Sequence, residues 1–235
     1  MSAIRIIFKS VSVLANLRLI LINLLLLPLI SICFLLLLGQ SGSSSDSTRL
    51  LIGTIICLTV STSANIICSS FVYDQNISLT QDVLSIKPHH LTYWGPKYLV
   101  STVIAGCELL LLGGLGQLLL TTPFLSRLII TSPLIFLTGI LLGYLSAIAG
   151  WGQENPYWLL NILGTFLILL SGTIIPVEKY PPFLKYLAEI FPLNAIINEV
   201  LAVSYLDLSS IASFFFLILL AIIWTKLKVR YLIHH

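Results

Sequence analysis

Residues 19–38 read LILINLLLLPLISICFLLLL, twenty residues in a row without a charged side chain. A helix rises about 1.5 Å per residue, so about twenty apolar residues match the hydrocarbon core of a bilayer, which is about 30 Å thick. In lipid the backbone must satisfy its own hydrogen bonds, and a helix does so within one segment. This stretch therefore predicts a transmembrane helix.

Five further stretches of the same kind bring the number of predicted spans to six. Of the 235 residues 57% are hydrophobic and only 9% are charged, whereas soluble domains carry about 25% charged residues. The predicted spans are 19–38, 50–71, 98–120, 128–149, 157–175 and 209–225. The segments between them are short, so we expect an all-α, polytopic membrane protein with one domain over residues 1–235.

The basic residues of the loops are distributed unequally, and positively charged loops are retained in the cytoplasm. With six spans both termini lie on one side, which then holds eight basic residues against four on the other. The eight are Arg5, Lys9, Arg18, Lys87, Lys97, Lys226, Lys228 and Arg230, and the four are Arg49, Arg127, Lys179 and Lys185. We therefore expect a multi-pass plasma-membrane protein with both termini in the cytoplasm.

The residues ahead of the first span carry a helical repeat of their own. Apolar side chains recur at helical spacing over 4–14, with Arg5 and Lys9 on the opposite face. This pattern predicts a helix that lies along the inner leaflet with its basic face toward lipid headgroups. The alternative is a frayed cytoplasmic tail. The first span is too long for a signal-peptide core, so we expect it to be retained.

Sequence motifs for catalysis and metal binding are absent. The chain has no G-x-x-x-x-G-K-[ST], H-E-x-x-H or G-x-S-x-G. Its four cysteines fall inside predicted spans without CxxC spacing, and the adjacent His89 and His90 do not converge on one metal ion. We expect no enzyme activity, cofactor or metal in this chain. The net charge of +3 includes no concentrated basic face, which argues against nucleic-acid binding.

The segment from Pro176 to Asp207, between the last two spans, is the most informative loop. Pro181 and Pro182 suit a helix start, and apolar residues then recur at helical spacing until Pro192. A second short amphipathic pattern covers 193–201. Two helices too short to span, joined at a proline, predict a hairpin that re-enters the outer leaflet or caps the bundle.

This loop also carries a family resemblance. Residues 171–193 read SGTIIPVEKYPPFLKYLAEIFPL. The order of one glycine, several prolines and two amphipathic runs resembles the signature between the fifth and sixth spans of ABC-2 type transporter permeases. The matching positions are Gly172, Pro176, Pro181, Pro182, Leu184, Pro192 and Leu193. The layout of six spans, an interfacial helix and a longer cytoplasmic loop after the second span is similar to that family over nearly the whole chain.

The resemblance implies a permease that pairs with a second permease copy or a related permease and with two cytoplasmic ABC ATPase subunits. Those subunits would bind ATP and Mg²⁺, and the permease would export the substrate. The hairpin would act as an outer gate or lid. Its gate residues would be Pro176, Pro181, Pro182, Phe183 and Pro192.

The loop over 72–97 lies where the family carries a cytoplasmic helix that docks on the ATPase. Ser78 and Gln81 form an S-x-x-Q capping box, which predicts a short helix over 78–86. By position, the residues that resemble the coupling segment are Asp82, Val83 and Leu84. The acidic run followed by Gly-Thr that is common in the family is replaced here by YDQNIS. The alternative is an ordinary solvated loop.

Small polar residues mark two of the spans. In the second span Thr54, Ser61 and Asn65 keep roughly to one helical face, and in the fifth Asn161 and Thr165 lie four residues apart. The resemblance places both spans along the subunit interface and the translocation path, where these residues would form weak hydrogen bonds with a passing amphiphile. The alternative is that small polar residues simply let the helices approach closely.

Glu108 is the acidic residue placed well inside a predicted span. A carboxylate in lipid must be neutral, paired or in contact with water. A functional interpretation makes Glu108 a proton-coupling or substrate-contacting group. The structural interpretation makes it a protonated or hydrogen-bonded group between helices.

Three hypotheses follow from these patterns. The first is the permease subunit of an ATP-driven exporter that moves an amphiphile such as a drug, a lipid or a hydrophobic peptide out of the cytoplasm; a glycan exporter would belong to the same family. The second is an ATP-independent, proton-linked transporter that uses Glu108. The third is a membrane scaffold that anchors partner proteins.

Overall fold

The computed structural model describes residues 16–39, 44–77, 91–119, 123–203 and 208–233. In those ranges the regular structure is helical. Helix α1 is continuous through Leu17–Leu21, Ile22–Leu26 and Leu27–Gly39, and its middle five residues are π-helical. The other helices are α2 (Ser44–Asn76), α3 (Leu91–Leu119), α4 (Leu125–Gly150), α5 (Trp158–Leu170), α6 (Pro182–Ile190), α7 (Leu193–Val200) and α8 (Leu208–Ile233), with a 3-10 turn at Val177–Lys179.

Five of these helices, α1 to α4 and α8, are long and apolar enough to cross a membrane. This confirms the prediction of a helical chain in the described ranges, and five of the six predicted spans are helices that could cross a membrane. The fifth predicted span, 157–175, differs, because α5 has only 13 residues. A helix of that length extends about 20 Å, less than the hydrocarbon core. Gly172 adopts a positive φ of 71° directly after the helix, a conformation that ends helices.

Helix α2 lies at the centre of the bundle. It contacts α1, α3, α4, α5 and α7. Of its most apolar stretch 78% is buried, against 17% for α1 and 33% for α8. The peripheral helices expose large apolar side chains such as Phe34, Leu118 and Phe215. Such surfaces suit lipid tails, so the apolar faces of the bundle are matched to a membrane.

Two glycines bring α4 into direct contact with α2. A Cβ atom added at Gly139 would lie 2.6 Å from the Cβ of Ser63, and one at Gly143 would lie 2.8 Å from the Cα of Ala64. The stretch 139–143, GILLG, has the G-x-x-x-G spacing that lets membrane helices pack backbone to backbone. The two central helices therefore approach each other as closely as their backbones allow.

We expect Gly143→Val to destabilise the bundle by about 1–3 kcal/mol, because the new side chain must displace the α2 backbone. The free energy of unfolding is measured by titrating SDS into mild-detergent micelles. Gly114→Val is the matched control, since a Cβ at Gly114 meets nothing within 4 Å. Equal losses in the two variants would contradict the close approach of α2 and α4.

Candidate functional site

A cavity of about 270 Å³ lies between α1, α2 and α3. Two of its lining residues, Leu27 on α1 and Asn65 on α2, are exposed. The cavity is therefore open at the surface between these two helices. Besides Glu108, its polar lining consists of Asn23, Ser31, Ser61, Thr62, Asn65 and Ser69.

Glu108 of α3 lies at this cavity and is 0% exposed. Neither of its carboxyl oxygens has a hydrogen-bond partner in the described part of the chain. The Thr62 hydroxyl of α2 lines the same cavity and lies near the carboxyl group. A buried carboxyl group without partners loses the stabilisation that water would provide. Both interpretations of Glu108, the functional group and the protonated or hydrogen-bonded structural group, stay predictions.

The wall of the cavity on α1 is formed in part by the π-helical turn Ile22–Leu26. Asn23 lies in that turn and donates from Nδ2 to the Leu19 carbonyl oxygen at 2.9 Å. A π turn inserts an extra residue into the helix and turns the side chains that follow, and such turns are frequent at functional sites. The local irregularity of α1 therefore coincides with the polar cavity.

A second polar cluster joins α2 to the segment after α5. The guanidinium of Arg49 donates from Nε to the Gly172 carbonyl oxygen at 2.8 Å. Its Nη1 donates to Asn198 Oδ1 at 2.9 Å and its Nη2 to Asn194 Oδ1 at 2.8 Å. We call these four residues the Arg49 lock. The planar guanidinium is suited to several fixed acceptors at once, so Arg49 ties α2 to both the turn at Gly172 and α7.

The turn at Gly172 is packed closely against α2. A Cβ atom at Gly53 would lie 2.5 Å from the Oγ1 of Thr173. On the other side of the turn, the Tyr180 hydroxyl donates to the Leu169 carbonyl oxygen at 2.5 Å. Burial raises the pKa of Tyr180 above its ordinary value, although Arg49 acts in the opposite direction. The hydroxyl thus keeps its proton and remains a donor to the end of α5.

The predicted hairpin helices are confirmed at 182–190 and 193–200. Pro181 precedes the first helix and Pro182 is its first residue, while Pro192 precedes the second. Pro176 leads into the 3-10 turn. Phe183 is 64% exposed. Helix α7 buries Leu193, Ile196, Ile197, Asn198 and Val200, so the second helix of the hairpin is anchored in the bundle.

We expect Arg49→Lys to loosen α7, because an ammonium group cannot reproduce three hydrogen bonds from one planar fork. Each bond to a charged group contributes about 1.5–3 kcal/mol, so amide hydrogen exchange over 193–200 should be about 10-fold faster or more. Mass spectrometry of the exchanged protein measures this.

Arg127→Lys is the matched control, since Arg127 is an exposed arginine outside the lock. It should leave exchange over 193–200 unchanged. Unchanged exchange in Arg49→Lys as well would show that the lock does not hold α7 in place.

A third cluster lies at the opposite end of α2. Lys97 of α3 is 2% exposed and forms an ion pair with Asp74 of α2, with Nζ and Oδ2 at 2.5 Å. Lys97 also donates to the Ser70 carbonyl oxygen at 3.1 Å, and the Tyr93 hydroxyl donates to Asp74 at 2.8 Å. We call Lys97 and Asp74 the Lys97 pair. It joins the end of α2 to the beginning of α3.

Aromatic rings surround this pair. The Lys97 ammonium group lies 4.5 Å from the ring centroid of Tyr93, a distance typical of cation–π contacts. Trp94 stacks on Phe71 of α2 at 5.5 Å and contacts the ring of Tyr144 of α4 at 4.6 Å. Lys97 was counted among the basic residues that set topology, but it is buried and paired rather than solvated. Ring packing and charge pairing together hold α2, α3 and α4 at this end.

We expect Lys97→Met and Asp74→Asn each to destabilise the protein by about 3–5 kcal/mol, because each leaves its buried partner uncompensated. The double variant should lose less than the sum, by about 0.5–3 kcal/mol. SDS titration of all four proteins gives the coupling energy. The control is a second cycle made of Glu178→Gln, Lys185→Met and their double variant, because both residues are exposed. Strict additivity in the Lys97 cycle would contradict the pairing.

The residues predicted to contact a translocated amphiphile do not form one site. Ser61 and Asn65 line the cavity of Glu108. Thr54 is buried and donates to the Leu50 carbonyl oxygen at 2.6 Å within its own helix. Asn161 and Thr165 are exposed on α5. Their expected role stays a prediction, as does that of Asp82, Val83 and Leu84, which lie outside the described residues together with the expected interfacial helix.

No protein-family model matches the chain and no curated protein matches its sequence. The functional argument therefore depends on the three clusters described above. Sequence reasoning singled out Glu108 but missed the Arg49 lock and the Lys97 pair. The available signal was a charged residue at each end of the second predicted span.

Proposed function

We propose that this chain is the membrane-spanning permease subunit of an ATP-driven exporter of the ABC-2 type. It would move an amphiphile, such as a drug, a lipid or a hydrophobic peptide, out of the cytoplasm while a separate subunit hydrolyses ATP. The observation that carries the proposal is the pair α6 and α7. Two short helices follow the shortened α5 and pack onto the bundle at the place where the resemblance expects an outer gate.

The proposed topology has six crossings. In it, α5 begins at the cytoplasmic side and the turn over 171–176 completes the path to the outer surface. The hairpin α6–α7 then lies in the outer leaflet. Helix α7 contacts α2 and α4, and α6 contacts α5 and α8. A movement of α2 would therefore reach the hairpin directly through the Arg49 lock.

The Lys97 pair supports a route for that movement. In this topology the loop over 78–90 faces the ATPase subunits, and the pair joins the two helices that flank the loop. A push on the loop would thus act on α2 and α3 together. Because α2 contacts five other helices, its displacement would change the packing of each of them.

Exposed polar side chains on α5 support pairing with a second permease. Asn161 and Thr165 are both exposed. Thr165 donates to the backbone carbonyl oxygen of Asn161 at 2.9 Å, and the side chain of Asn161, which carries an amide, is exposed. Amide groups facing lipid are costly, so a second permease copy would provide a better neighbour for this face than acyl chains.

A proton-linked transporter is the second candidate, favoured by one observation. Glu108 is buried at a polar cavity without a hydrogen-bond partner in the described ranges, and intramembrane carboxyl groups serve as proton carriers in transporters. Collapse of the proton gradient at constant ATP separates the two candidates, because export by an ATPase-driven permease continues under that condition.

The exporter proposal is tested by reconstituting the chain with co-purified ATP-binding chains in liposomes. ATP turnover should rise when an amphiphile is added. Asp82→Ala and Leu84→Ala should each reduce that stimulation by about 5-fold or more, because coupling between sites is typically worth 1–3 kcal/mol.

Arg127→Ala and Leu118→Ala are the controls, since both residues are exposed, lie outside the hairpin and belong to the opposite face in the proposed topology. They should leave the stimulation intact. An ATPase that binds but never responds to amphiphiles would favour a scaffold. Failure of any ATP-binding chain to bind would remove the exporter proposal.

A further inference from the structure

We propose that the cavity between α1, α2 and α3 binds the ammonium group of an amphiphilic organic cation, with Glu108 as its counterion. This goes beyond the exporter proposal, because it assigns a ligand class to a site inside a single chain.

The charge of the ligand follows from Glu108. Its carboxyl group is 0% exposed and lacks a hydrogen-bond partner among residues the structure describes. In the described residues, Lys97 and Asp74 form an ion pair, and neither residue lines this cavity. Burying a carboxylate costs less free energy when a cation lies next to it. A cationic group in the cavity would supply that missing partner.

The neighbouring polar groups point to a ligand that donates hydrogen bonds. The Ser31 hydroxyl donates to the Leu27 carbonyl oxygen at 3.0 Å, so its oxygen can only accept another bond. Asn23 and Asn65 each use one N–H on a carbonyl of their own helix, at 2.9 Å in both cases. Their side-chain carbonyl oxygens remain as acceptors. An ammonium group with N–H donors matches this set of oxygens better than an anion does.

The size and the apolar part of the lining point to an organic ligand rather than a metal ion. A volume of about 270 Å³ is close to the lower end of small-molecule sites, roughly 300–1,000 Å³. No group of three or more metal-binding side chains occurs in the described residues. Leu24, Leu58 and Ile104 line the same cavity and suit an alkyl chain.

The opening of the cavity fits a ligand dissolved in the membrane. It lies between α1 and α2, where Leu27 and Asn65 are exposed. Helix α1 is the least buried of the five long helices, so its outer side faces the bilayer or a partner. An amphiphilic amine could enter laterally with its ammonium group leading toward Glu108 and its chain remaining among apolar side chains.

The test measures direct binding of tritiated dodecylammonium to the full chain in phosphatidylcholine nanodiscs, without any ATPase. Glu108→Gln should weaken this binding by roughly 30-fold or more, as removal of one member of a buried charge pair does. Glu108→Asp keeps the charge and should retain part of the affinity. Dodecanol, a neutral probe of the same chain length, should bind far more weakly and with no difference between wild type and Glu108→Gln.

Glu178→Gln is the matched control, because it removes an exposed carboxylate outside the cavity and should leave binding unchanged. A normal elution profile and melting temperature of Glu108→Gln show that the variant is folded. Equal dodecylammonium affinity in wild type and folded Glu108→Gln would overturn the proposal, as would equal affinity of wild type for dodecanol. Since no ATPase is present, either result leaves the exporter proposal to its own experiment.

Discussion

A charged group buried in a protein needs a partner, and α2 carries such a group near each of its two ends. Its first turns carry Arg49 and its last turns carry Asp74, 25 residues and thus about 38 Å apart along the helix. Arg49 is held by three hydrogen bonds and Asp74 by Lys97 and Tyr93. Because separating any of these groups in a low dielectric is costly, α2 is tied at one end to α7 and at the other to α3.

This arrangement makes α2 the rigid centre and leaves the periphery less constrained. The glycines at 139 and 143 hold α4 against α2 through backbone contact, so α2, α3 and α4 form a connected core. Helices α1 and α8 bury much less of their apolar surface. The cavity of Glu108 lies where this core meets α1, the less buried helix. A ligand site at such a boundary can open or close by small shifts of α1 without breaking the Arg49 lock or the Lys97 pair.

Most of the helices were predictable because the bilayer imposes one length and one composition on a spanning segment. The hairpin helices were predictable from Pro182 and Pro192, since proline begins or ends helices by known stereochemistry. The end of the fifth span was not, because residues 171–176 are mostly apolar or small and read as a continuation. The helix instead ends at Leu170, two residues before Gly172, whose positive φ and contact with Arg49 depend on tertiary packing. A hydropathy argument carries no information of that kind.

By itself, the sequence determined that this chain is helical, that its long helices are apolar enough to cross a membrane, and that Glu108 is a costly residue that requires an explanation. These conclusions depend on composition and local spacing, which are properties of single segments of the sequence. Only the tertiary structure decided which groups meet. The Arg49 lock joins residues more than 120 positions apart, and the cavity of Glu108 draws its walls from three helices. Such contacts arise from how helices pack, and the packing of a uniformly apolar bundle leaves little trace in the order of its residues.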